Sequence, residues 1–172
     1  MARRNTFPSA EVLQGLFEYC DGKLYNKTAR NSRTKAGAVA GSYTGVYGVV
    51  TIHGVSWPIS RVIFMMHHNY VPQYVDHING DKHDNRIENL RAATSHQNQC
   101  NHALKSKNKS GVKGVSWIQR NQQWYACIRV HGKTKNLGLF EDLELAKEFI
   151  ELARETLHGS FANHGTFKEN IS

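Results

Sequence analysis

The chain has 172 residues, 22 Lys and Arg against 14 Asp and Glu, and a formal net charge of +8. That length allows one compact domain or two small ones, and the cationic excess favours a polyanionic partner through counterion release. Cys20, Cys100 and Cys127 are scattered with no Cys-x-x-Cys pair, so neither a disulfide framework nor a structural zinc ribbon is supported, and a reducing cytoplasm is expected. No apolar leader opens the chain, and the apolar run at residues 62–66 is far too short to span a bilayer.

Taken in order, the first part reads as a scaffold. Ser9 can cap a helix carrying Val12, Leu13, Leu16 and Phe17 on one side. Asp21-Gly22 turns into a short strand at residues 23–25, followed by a basic loop with Arg30, Arg33 and Lys35. Residues 47–52 and 55–57 form a hairpin across His53-Gly54, and Pro58 ends the pairing. Residues 60–68 read as a helix whose apolar side, Val62, Ile63, Met65 and Met66, is core. Arg61 at its start reads as a phosphate contact or as a surface arginine, and His67-His68 as a helix end or a phosphate-facing pair.

Residues 76–98, DHINGDKHDNRIENLRAATSHQN, carry the most chemistry. Residues 74–78 alternate and read as a strand, Asn79-Gly80-Asp81 is turn chemistry, Asp84, Asn85 and Arg86 extend a polar loop, and Ile87 and Leu90 return to the core. Thr94 or Ser95 then caps a helix expected to run to about residue 104, with Asn98 and His102 on one face. This path of strand, loop, strand and helix is expected to bring Asp76 and Asn98 to face each other. Their hard oxygens suit Mg²⁺ or Mn²⁺ rather than a closed zinc cage, and a neutral His77 can take a proton from water. Alone, Asp76-His77 could be a turn pair, Asn89 a loop cap and Asn98 a solvated helix residue; the joint spacing argues for a site.

At these residues the segment resembles the ββα-metal, or HNH, nucleases of phages and mobile introns, with Asp76-His77, residues 79–90 and Asn98 matching the pattern. The resemblance implies Asp76 and Asn98 as ligands of one divalent ion per site, His77 as general base, and Asn89 orienting the loop and the His77 ring. It further implies in-line hydrolysis of a DNA phosphodiester to 5′-phosphate and 3′-hydroxyl ends. The last position of the pattern is Asn98 here, a variation found among homing-type members, with His96 and His102 close by as alternatives for it.

Residues 105–110, with Lys105, Lys107 and Lys109, read equally as a solvated linker and as a basic linker along the DNA backbone. Beyond them, residues 112–118, 124–131 and a run ending at Phe140 read as three strands. A helix follows from its cap Asp142 to about Leu157, with Ala146, Phe149, Ile150, Ala153 and Leu157 at helical spacing and Gly159 as its stop. This region resembles the AP2 DNA-binding domain at Gly114-Val115, the Trp124, Ala126 and Ile128 core, Leu137-Gly138, Phe140 and His158-Gly159. By that resemblance Lys113, Ser116, Arg120, Arg129, Thr134 and Asn136 face DNA.

The expectation is therefore an α+β chain. Residues 1–104 form the HNH module with its N-terminal α/β scaffold, 105–110 a basic linker, 111–165 an AP2-like three-stranded antiparallel sheet with one helix, and 166–172 a tail. The expected activity is that of a metal-dependent DNA endonuclease of homing type. Its partner is double-stranded DNA, with no membrane and no small-molecule substrate, acting as a monomer or weak dimer in the cytoplasm, a host bacterium's if phage-encoded. The alternative is a DNA-binding regulator with an inactive HNH fold.

Overall fold

The computed structural model describes residues 6–29, 34–104 and 107–166. The chain forms two compact units, residues 1–93 and 94–172, each with its own apolar core.

In the first unit, Ser9 caps α1 (Ala10–Leu16), its Oγ accepting from the Val12 N–H at 3.4 Å. The buried stripe is narrower than the sequence suggests: Leu13 is fully buried, Val12 is 43% exposed, and Phe17 already belongs to β1 (Phe17–Cys20). Strand β1 pairs antiparallel with β2 (Lys23–Asn26) across Asp21 and Gly22, both at positive φ. A second hairpin joins β3 (Val49–Ile52) to β4 (Val55–Pro58), and its turn residues His53 (φ 49°) and Gly54 (φ 82°) are left-handed, as a two-residue loop matching strand twist requires. Pro58 serves as cap of α2 (Ile59–His68), and Asn69, at φ 59°, stops it. Ile59, Val62 and Ile63 recur at helical spacing and are fully buried; each contributes about 1.5–3 kcal/mol relative to exposure. Met65 and Met66 are only half-buried, and Phe64, absent from the expected apolar side, is buried in their stead. Helix α2 packs on a third hairpin, β5 (Tyr74–His77) with β6 (Leu90–Ala93), in which Asp76 pairs with Arg91 and His77 with Leu90.

In the second unit, Thr94 and Gln97 form a reciprocal capping box on α3 (Ser95–Cys100). The helix ends at Cys100 rather than near residue 104, so His102 lies beyond it and does not share a helical face with Asn98. Residues 94–104 were expected with the nuclease module. Here they are tied to the C-terminal part: Lys113 Nζ donates to the Cys100 and His102 carbonyls, Asn163 Nδ2 to that of Asn101, and the Leu104 N–H to that of Gly165. Of the expected linker, residues 105–110, the described part from 107 carries side-chain bonds to the strand that follows. Ser110 Oγ donates its one proton among Asn108 Oδ1 and the Val112 and Val115 carbonyls, the last nearest at 2.7 Å, and accepts from the Val112 N–H, closing a loop.

Strands β7 (Val115–Ile118), β8 (Gln123–Val130) and β9 (Lys133–Phe140) form an antiparallel sheet in sequence order, with a bulge at Ala126/Cys127. Asp142 caps α4 (Leu143–His158), accepting from the Leu145 N–H at 2.9 Å. The helix buries Ala146, Ile150 and Arg154 against the sheet, while Phe149 and Leu157, expected on that stripe, are exposed. Among the described residues no helix is long and apolar enough to cross a membrane.

Candidate active site and sheet face

Hairpin β5–β6 presents Asp76 and His77 side by side, each 5% exposed. Strand register sets Asp76 opposite Arg91, whose Nε and Nη2 both reach Oδ2 at 2.8 Å. His77 Nε2 meets Asn85 Oδ1 at 3.1 Å, and Asn85 Nδ2 donates to the His83 carbonyl at 3.2 Å, which fixes the amide with its oxygen toward the ring. That oxygen only accepts, so Nε2 carries the proton in the neutral ring and Nδ1 is the basic nitrogen. Burial pushes the His77 pKa below its ordinary 6.5, against the smaller opposing effects of the Asn85 bond and of Asp76, Asp81 and Asp84. The ring is therefore neutral at neutral pH, the form a base needs.

The loop between the strands is built almost entirely from its own polar side chains. Asn89 Oδ1 accepts from the Asn79 N–H at 3.0 Å, and its Nδ2 donates to Asn79 Oδ1 and the Asp84 carbonyl. Asp84 receives Asn79 Nδ2 and a two-pronged contact from Arg86, which holds its carboxyl below the usual carboxylate range. Asp81 and Asn79 close short turns onto His83 and Asp81. Asn89 thus bonds the loop backbone at Asn79 and Asp84, and the contact to the His77 ring at Nε2 comes from Asn85. Sequence reasoning placed Asn85 only in a polar loop and did not single out Arg91. The β5–β6 pairing, which sets residue 91 opposite residue 76, was the available signal for Arg91.

Asn98 sits on α3, half-buried, in the second unit. On the sheet, pairing places Ser116 beside Tyr125, Cys127 beside Asn136 and Arg129 beside Thr134, so these share the face turned away from α4. Ser116, Arg129, Thr134 and Asn136 are exposed there, as is Arg120 in the β7–β8 turn. Asn136 Oδ1 accepts from the Gly138 N–H, and Arg129 Nε donates to the Gly132 carbonyl. Lys113 departs from expectation. Its ammonium donates to the carbonyls of Cys100, His102 and Asn163 at 2.9, 2.6 and 2.9 Å, which uses all three protons inside the unit. It is a structural tie, not a cation presented to phosphate. Lys107 and Lys109 are exposed, and Lys105 lies outside the described residues. Arg61 donates to the Gln73 carbonyl at 3.1 Å and stacks over Phe7, so part of its guanidinium is already engaged.

A family model described as HNH endonuclease matches residues 58–100, which takes in α2, the β5–β6 hairpin and α3. Over 89 residues the chain is 35% identical to protein 3.8 of Escherichia phage T7, covering 52% of this chain and 73% of that protein. An uncharacterized HNH endonuclease, L560, of Acanthamoeba polyphaga mimivirus is 36% identical over 89 residues, 52% of this chain and 45% of the relative. No solved structure matches the chain. The chain therefore carries an HNH endonuclease domain at residues 58–100, and it belongs with the phage protein 3.8 and a viral HNH endonuclease as their relative.

Proposed function

We propose that the protein is a divalent-metal-dependent endonuclease of double-stranded DNA, of homing type, that leaves 5′-phosphate and 3′-hydroxyl ends. The observation that carries this reading is the buried Asp76-His77 pair, with His77 neutral and its tautomer set by Asn85. His77 accepts a proton from the attacking water as the new oxygen–phosphorus bond forms in line with the departing 3′ oxygen. Asp76, and Asn98 on α3, offer the hard oxygens that suit Mg²⁺ or Mn²⁺, and such an ion, when bound, supplies stabilisation of the charge on the leaving oxygen. Asn89 and Asn85 keep the loop and ring in place so that little reorganisation is needed.

The exposed sheet face with Ser116, Arg129, Thr134 and Asn136 is proposed as the AP2-like DNA-recognition surface, with Arg120, Lys107 and Lys109 as supporting cations. A cutter reads little sequence by itself, and a second contact on the same chain raises its local concentration at a site.

One observation favours the regulator reading: Asp76 is engaged by Arg91, a cation that competes for the same carboxylate. Digestion of supercoiled plasmid and phage DNA with Mg²⁺, with EDTA and with His77→Ala separates the two. The expected result is cleavage by the wild type that EDTA and His77→Ala each reduce by about two to four orders of magnitude while DNA binding persists. Tight binding with no cleavage under any divalent ion would establish the regulator in its place.

A further inference from the structure

We propose that His96, Cys100 and His158 form a second metal site, for a borderline-soft ion such as Zn²⁺, that pins α3 to the end of α4. Their ligand atoms all lie within 4.8 Å of one another. His96 and Cys100 are four apart on α3 and so project from the same side, and His158 is the last residue of α4. Cys100 Sγ lies 3.7 Å from His96 Nε2 and 3.9 Å from Nδ1. In a tetrahedral zinc site a sulfur and a nitrogen ligand stand about 3.5 Å apart, given metal–ligand distances of about 2.3 and 2.0 Å. The three ligand atoms, within 4.8 Å of one another, would close in by up to about 1 Å around an ion, and His96 Nε2, if it is the ligand, would give up the His131 N–H it accepts at 3.5 Å.

Orientation at His158 carries the argument further. Its Nε2 donates to the Arg129 carbonyl at 3.0 Å, which leaves Nδ1 as the lone-pair nitrogen. That Nδ1 is buried and has no hydrogen-bond partner. A ring with one N–H held by a backbone carbonyl and its other nitrogen buried without a partner is the arrangement found behind metal-bound histidines. Left without an ion, the orphaned nitrogen costs free energy that a metal would recover. Cys100 is itself 6% exposed, so burial keeps its thiol protonated in the metal-free protein. On binding, the thiol releases its proton to solvent and coordinates as thiolate. A tetrahedral ion would leave a fourth position for water; the His131 ring lies tilted beside His96, centroids 4.5 Å apart. Hard carboxylate and amide oxygens, as proposed for the nuclease ion, and this nitrogen–sulfur set would select different ions.

The test is titration of the full-length protein with Co²⁺, read by absorption, followed by displacement with Zn²⁺. One equivalent of Co²⁺ is expected to give a thiolate charge-transfer band and tetrahedral d–d bands, both removed by Zn²⁺. Cys20→Ser with Cys127→Ser, which leaves Cys100 as the sole thiol, should retain the band. Cys100→Ser should lose it, and His158→Gln should weaken Co²⁺ affinity at least tenfold. A wild type without a thiolate band, or a band that vanishes in the Cys20/Cys127 double variant, overturns the site. Because the double variant keeps the proposed ligands, it decides the matter even if Cys100→Ser does not fold. The readout is metal binding and stands whether or not the protein cuts DNA.

Discussion

At the scale of single residues, the decisive contact is the one between Asn85 and His77. Asn85 touches neither water nor phosphate in the proposed reaction; it acts by holding a ring. Asn85→Ala should lower the cleavage rate about ten- to a hundredfold with little change in DNA affinity. Asn85→Asp tests the same contact electrostatically. It places a carboxylate on Nε2–H, raises the His77 pKa, and should move the acid limb of the kcat/KM profile to higher pH. A purely structural role for Asn85 would leave that limb where it was. Stability follows with its own sign. The folded pKa of His77 lies below the ordinary 6.5, so the unfolded chain binds more protons in that interval. The stability contribution of this neutral ring is therefore present above pH 6.5 and is lost as pH falls through the lower folded value. His158, also depressed by burial, adds to the same acid destabilisation, and melting temperatures measured from pH 7.5 downward should show it. Asp76 and His77 were legible in sequence because they are a recognisable pair before turn chemistry. Asn85 was not, because an Asp-Asn pair in a polar loop reads the same whether it cradles a histidine or faces water. The His96, Cys100 and His158 set was illegible for another reason: no Cys-x-x-Cys spacing marks it, and its third member is 58 residues from Cys100.

At the scale of elements, alternation and turn residues located most strands. Buried and exposed positions along β8 alternate from Ala126 to Val130, and the left-handed pair His53-Gly54 marks its hairpin without help from packing. Helix faces were read less well where a polar residue fills an apolar role. Helix α4 buries Arg154, only 2% exposed, because its guanidinium donates to the Lys113 carbonyl at 2.6 Å and meets His164 Nδ1 at 3.0 Å. An apolar-stripe rule skips that position and recruits Phe149 and Leu157 in its stead. Gly114 marks where the strand start and α4 meet. It has φ 82°, and a Cβ there would lie 2.6 Å from the Cys127 carbonyl oxygen and from Ile150 Cδ1. Gly114→Ala should destabilise the second unit by about 1–3 kcal/mol from the backbone alone, more with the clash, seen as a lower denaturation midpoint. Lys113→Met keeps the stem but removes three donors from three carbonyls, and about 1–3 kcal/mol of stability should go with them. If Lys113 instead served DNA, that variant would melt like the wild type and bind DNA more weakly.

At the scale of the whole molecule, the proposed division of labour makes cutting and site selection separable by mutation. Arg129 projects from the exposed sheet face, and its backbone carbonyl, which supports His158, survives replacement of its side chain. Arg129→Ala should therefore leave the second unit folded while weakening DNA binding several-fold, and should reduce the dependence of log K on log salt by about one phosphate contact if it meets backbone rather than base. If it reads a guanine edge, the loss falls on one base position and costs about 1–3 kcal/mol there, with the salt slope nearly unchanged. In either case the single-turnover cleavage rate at saturating DNA should match the wild type, because His77, Asn85 and Asn89 are untouched. His77→Ala should show the converse, with full affinity and little cutting. Measuring both variants on one DNA substrate decides the architecture. A loss of single-turnover rate in Arg129→Ala would mean that the sheet face takes part in aligning the scissile phosphate, and the two functions would then belong to one composite surface instead of two linked ones.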